Sequence, residues 1–281
     1  MYMLIKKFAI GLLGIGIVVI SSACMTSKAA PSKETLSEIV TQSQLLAADE
    51  EDSEQVQEVI SIDFEHLGKC YHNDAGILML ETKFNLPQIR VGYSNEVMTS
   101  INNYYKEYLK QFNIQADEYY KAAIEDYNSR TEEQKSYWGN YYLANEYEPK
   151  RMDEIVASMF VRIDVNTGGA HPNSYYATQN FDAKTGKLLT FKDIVNDAAV
   201  ARTFLEDYIL QQTKTMEHPE YLLEGYEDSI KDILQDDTWY FSDRGVTIIA
   251  NEYIITPHAV GRLEFAIPYS EFKELKPEYK L

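Results

Sequence analysis

Five histidines and two cysteines are the chain's scarce soft ligands, and four potential metal-binding side chains fall within nine residues: His66, Cys70, His72 and Asp74. Imidazole and thiolate are good zinc donors. The set lacks a Cys-x-x-Cys repeat, and polar residues gather in any link between two strands. The expectation is therefore no metal and no cofactor, with this cluster as the place a metal would bind. A second constellation is Gly168-Gly169-Ala170-His171-Pro172-Asn173-Ser174. Its glycines let the backbone turn freely and would display His171, Pro172, Asn173 and Ser174. It reads either as a rigid recognition loop or as a plain connection in which His171 bonds a neighbouring carbonyl. A third segment, Thr256 to Gly261, carries Pro257 and His258 and interrupts the last strands. With both loops at one end of the molecule, they would grip a protrusion or enter a cleft. Gly-x-Ser-x-Gly, His-Glu-x-x-His, Walker and Gly-x-Gly-x-x-Gly signatures are absent. No carboxylate pair can be singled out from 44 acids, so we assign no catalytic residue and expect a non-enzymatic protein.

The N-terminus sets the compartment. Lys6 and Lys7 precede an apolar run from Phe8 to Ile20, and Ser21-Ser22-Ala23-Cys24 follows. The run is short for a span, which needs roughly 20 apolar residues, and reads as a cleaved signal peptide. The small residues before Cys24 resemble the lipobox of bacterial lipoproteins, in which Cys24 carries the lipid. Residues 1–23 are then the signal, and 24–58 the lipidated cysteine and a charged, disordered tether. Cleavage removes two lysines and no acid, taking the formal charge from −18 to −20. Such a chain is repelled by nucleic acid and by anionic membrane surfaces and attracts basic proteins. With Cys24 acylated, Cys70 has no partner in the chain, so a hydrophobic core must hold the fold.

Strand-like runs at 59–64 and 77–84 open the folded part. Val97, Ile101, Tyr104, Tyr105, Tyr108 and Phe112 then recur at helical spacing. Helices are expected to continue over 116–128 and 132–143, and strands to return at Ile155–Val165 and Ser174–Phe181. Thr190 and Asp193 fit a capping box. Helices follow at 198–216 and 220–235, and strands at 238–241, 246–250 and 263–267. Ten acids against two lysines crowd residues 206–237, read as a solvated face or as an attractor of a basic partner. Most of the 22 tyrosines read as packing residues. The class is α+β, with antiparallel or mixed sheets and a helical block in two closely packed subdomains, 59–150 and 151–281.

From residue 59 onward the motif order resembles a bacterial envelope family, the PdaC/RsiV-like proteins. The pieces are Pro87-Gln88-Ile89, Gly168 to Pro172, Asn180 to Lys187, Leu189 to Asp193, Trp239 to Gly245 and Ala266 to Phe272. The resemblance implies a two-part α+β extracytoplasmic module. In that family the module senses lysozyme by binding it in an anti-sigma factor, and precedes the catalytic domain of a peptidoglycan deacetylase. Neither the cytoplasmic sigma-binding segment nor the deacetylase domain is expected here. The expected partner is a basic protein such as a lysozyme-like muramidase, or else peptidoglycan, with membrane attachment through a lipid only.

Overall fold

The computed structural model describes residues 60–169 and 173–281. The expected signal peptide, Cys24 and the tether lie outside these residues. Strands β1 (Ser61–His72), β2 (Leu78–Val91), β3 (Tyr141–Met152), β4 (Val156–Asn166) and β5 (Asn173–Asp182) form one sheet in sequence order. All neighbours are antiparallel except β2 and β3, which run parallel. That connection needs a crossover, supplied by helix α1 (Asn95–Ser129) and the short α2 (Glu132–Ser136). A second sheet holds β6 (Trp239–Phe241), β7 (Gly245–Ala250) and β8 (Leu263–Pro268), with α3 (Phe191–Ile194) and α4 (Ala198–Lys214) before it. The α+β class expected from the sequence is the one observed.

Helix α1 opens on Ser94, whose hydroxyl accepts the Val97 amide. It buries Val97, Ile101, Tyr105, Tyr108 and Phe112, then Ala116 and Ala123, against the five-stranded sheet. One 35-residue helix replaces the two expected pieces, because that face persists through the alanines. The expected helix over 132–143 instead ends at Ser136. From Tyr141 the buried positions Tyr141, Leu143, Asn145 and Tyr147 alternate with period two and form β3. The expected helix at 220–235 is two 3-10 turns, Pro219–Tyr221 and Tyr226–Asp232. Gly225, at φ +70, separates the two turns, and Leu222, Tyr226, Ile230, Ile233 and Leu234 still pack into the second core. The capping box at Thr190 and Asp193 is present.

The subdomain boundary expected near residue 150 falls inside β3, and the first sheet runs on to Asp182. Two cores divide there. α1 covers the first sheet, and α4 buries Ala201, Leu205 and Ile209 against Trp239, Phe241, Ile248 and Ile267 of the second. Edge strands β5 and β6 face each other across a polar seam. Thr178 donates its amide to Asp237 O at 2.8 Å and its hydroxyl to Trp239 O. Asn180 Nδ2 also donates to Trp239 O, at 2.7 Å, and the Ser158 hydroxyl donates to Asn180 Oδ1. Ser158 Oγ in turn accepts the Phe241 amide at 3.1 Å. Asn251 closes both the amide and the carbonyl of Tyr176, at 2.8 and 2.9 Å. On β2, Asn102 of α1 does the same for Ile89, at 2.8 and 3.0 Å. Gly245 is obligatory in β7, since a Cβ there would lie 1.9 Å from Ile267 O. An Asn180→Ala protein should lose about 2–3 kcal/mol of unfolding free energy in urea, because it leaves buried groups without partners.

Candidate functional site

The two loops singled out in the sequence meet at one end, and Glu252 joins them. The segment 251–262 leaves β7 after Ala250, and its first residue, Asn251, is pinned to Tyr176 of β5. The next side chain, Glu252, is 6% exposed and divides its carboxylate between the loops. Oε1 accepts the Ser174 amide at 3.1 Å, and Oε2 meets His258 Nδ1 at 2.6 Å. Thr256 ties the second loop shut, donating its hydroxyl to Gly261 O at 2.6 Å. His171 and Pro172 lie outside the described residues. Gly168 has φ +77 and is exposed with Gly169, while Asn173 and Ser174 begin β5. A Cβ on Gly168 would lie 3.4 Å from Arg130 Nη2, so this loop also borders the end of α1.

Tyr253 is the residue that sequence reasoning missed. Among the described residues it alone, glycine aside, has a positive φ, of 66°. Such a conformation in an aromatic residue is strained and persists only where the surroundings impose it. Here it turns the ring outward, 55% exposed, and stacks it on His258 with centroids 5.9 Å apart and planes 11° from parallel. Sequence carries no signal for that dihedral. Beneath the loops runs a polar spine. Arg162 contacts Glu146 at 3.3 Å and Asp164 at 2.7 Å, and the Ser174 hydroxyl donates to Asp164 at 2.9 Å. Burial pushes the Asp164 carboxyl up, against the opposing pull of Arg162 and Ser174. Ser174 is buried and committed to Asp164, so it holds the loop in place and is no nucleophile for His258.

The acid-rich segment borders this end. Leu223 donates its amide to Ile255 O at 2.9 Å, which ties the 219–232 turns to the base of the second loop. Glu220, Glu224, Glu227 and Asp228 are exposed there. Two shallow grooves lie apart from the loops, about 210 Å³ along Gln212, Met216 and Phe265 and about 460 Å³ over Asn95 and Thr99.

The metal candidates do not converge. His66, Cys70 and His72 lie within β1 itself, not in a link between strands, and Asp74 lies in the turn beyond. Four residues of strand separate His66 from Cys70 by roughly 13 Å. His66 Nδ1 meets Asn85 Oδ1 at 2.7 Å. Among the described residues, no group of three or more His, Cys, Asp or Glu side chains could hold a metal ion. Cys70 is disulfide-bonded, which corrects the expectation that it has no partner in the chain. No helix among the described residues is long and apolar enough to cross a membrane.

A two-sheet α+β scaffold presenting a braced loop surface at one end defines the class of module. Family models then match its two parts in order: Deacetylase PdaC over residues 70–174, and a protein of unknown function, DUF3298, over 192–270. A DUF3298-family crystal structure from Bacteroides fragilis aligns with TM-score 0.58 and 19% identity, covering 78% of this chain and 94% of that one. One from Pseudomonas aeruginosa aligns with TM-score 0.51 and 12% identity, covering 80% and 98%. No curated protein matches by sequence. The two models in tandem, with these neighbours, support the PdaC/RsiV-like domain family.

Replacing Tyr253 by glycine removes the strained dihedral without touching the core. Tyr253→Gly should raise unfolding free energy by about 1 kcal/mol in urea titrations, whereas most substitutions at a braced loop lower it.

Proposed function

We propose that this chain is a lipid-anchored binding protein on the outer side of the cytoplasmic membrane, and that it captures a basic protein through its loop end. The observation that carries the reading is Glu252, which locks Ser174 and His258 together beneath the outward-turned Tyr253. An aromatic anchor held rigid at the centre of a polar rim is a favourable basis for protein recognition. The neighbouring exposed acids and the net charge of −18 favour a cationic partner and accelerate encounter. A lysozyme-like muramidase is the leading candidate, from the family resemblance. Titration calorimetry against several lysozymes should show binding that weakens as salt rises. Tyr253→Gly should weaken it by about thirtyfold, the scale of an aromatic hot spot. Absence of heat with every lysozyme tested would remove that partner.

A second reading rests on the matched model's description as a deacetylase. It makes the chain a wall-modifying enzyme, or a wall-glycan binder in the service of one. Acetate released from purified wall glycan by the isolated chain would decide for catalysis. Sedimentation with insoluble wall material would decide for glycan binding.

The anchor has its own test. Intact mass of membrane-extracted protein should show the diacylglyceryl addition and the loss of residues 1–23. A mass without the diacylglyceryl addition would overturn the anchor.

A further inference from the structure

Among the described residues, the outer edge of β1 is the long strand edge that no other strand pairs with. The edge of β5 meets β6 across the seam. β8 is six residues long, and Tyr208 donates to its Ala266 O at 3.0 Å. β1 spans 12 residues, roughly 40 Å of strand. Its register with β2 is unbroken from Ile62 to Tyr71, and it holds no proline. Helix α1 packs over β2 and β3 and meets β1 near its end, where Tyr120 donates to His72 O at 2.9 Å. No residue of β1 is buried, and Ile62, Phe64, Leu67 and Tyr71 are only partly covered by the first core. An edge of this kind invites pairing unless a proline, a bulge or repelling charge blunts it. Here the charges are of both signs, with Asp63 and Glu65 in the first half of the strand and Lys69 in the second.

We propose that β1 is a dimer edge, pairing antiparallel with β1 of a second copy so that the two first sheets become one. A two-fold axis perpendicular to the sheet must fall level with a residue, because directly opposite side chains share a face. Centred on Leu67, near the middle of the strand, it sets Leu67 against Leu67. Glu65 of each copy then faces Lys69 of the other, and both residues are exposed. Opposite charges facing each other across strands attract, and like charges there repel. A centre at His66 would set Lys69 against Asp63, which already pairs with Arg90 at 3.0 Å. Within one chain, residues 65 and 69 stand roughly 13 Å apart along the strand, so a second copy is what brings these charges together.

The test is sedimentation equilibrium of the full chain, with Glu65→Lys, Lys69→Glu and the doubly exchanged protein beside it. The unaltered chain should show a reversible monomer–dimer equilibrium. Each single reversal sets like charges opposite each other twice across the axis and should raise the dimer Kd by about tenfold. The double exchange restores both attractions and should return Kd to near its original value. A chain that stays monomeric overturns the proposal. So does a dimer that neither reversal weakens, or one that the double exchange fails to rescue. Should a variant misfold, hydrogen exchange in the unaltered chain decides. Alternate β1 amides gain protection as concentration rises if the edges pair, and protection independent of concentration overturns the pairing. A monomer whose β1 amides are protected only by an added basic protein gives the edge to that partner, which also overturns the dimer.

Discussion

Two sheet edges are buried against each other in this molecule, and neither can complete the other by ordinary strand pairing. A strand edge presents a row of amides and carbonyls that tolerate burial only when bonded. The chain meets the requirement with side chains. Ser158, Thr178 and Asn180 project from β4 and β5 to take the outer groups of Trp239 and Phe241, and Asn251 reaches back to Tyr176. The back faces then run on across the joint, where Phe160 and Tyr176 of one sheet meet Tyr240 and Ile249 of the other. Side-chain pairing is more directional than an apolar contact of the same area, so the seam specifies one relative placement of the sheets.

The loop end inherits its order from that seam. Along β5 the amides of Ser174, Tyr176 and Thr178 go in turn to Glu252, Asn251 and Asp237, all from the second half of the chain. Glu252 is thus both the last rung of the joint and the brace of the surface above it. A braced surface loses little entropy when a partner binds. The strained Tyr253 fits the same logic, since a residue at φ 66 needs rigid neighbours on both sides.

Much of this was legible in the sequence. The helical spacing from Val97 to Phe112 and the box at Thr190 each appear as expected, and the strand after Ile155 is present but buried on both faces. What failed was local too. β3 was hidden because tyrosine suits either a helix or a strand face, and the break at Trp138-Gly139-Asn140 was read through. The stretch 220–235 has an apolar stripe at helical spacing, but Gly225 in the left-handed region divides it into two short turns. The convergence of the two loops was posed as a condition and is realised. The residues that realise it, Glu252 and Tyr253, had no local mark, because a carboxylate bridging positions 174 and 258 is a property of the closed chain.

The motifs that carry the family resemblance mostly do scaffold work. Ile89 is the backbone that Asn102 closes, Asn180 is in the seam, Gly245 admits Ile267 O, and Ser100 of α1 donates to Gly186 O in the turn after β5. Each is fixed by a close approach or a buried hydrogen bond that few residue types can satisfy. Such positions convey how the two sheets are joined and say little about what is bound. Tyr253, Pro257 and His258, by contrast, are half-buried or exposed and bear only on the loop end. The backbone amide of Ser174 anchors Glu252 whatever side chains stand at 170–173, so the tip is free to vary on a constant base. Under the proposed binding role, ligand choice would fall to a handful of tip residues, while the joint beneath them keeps a constant geometry.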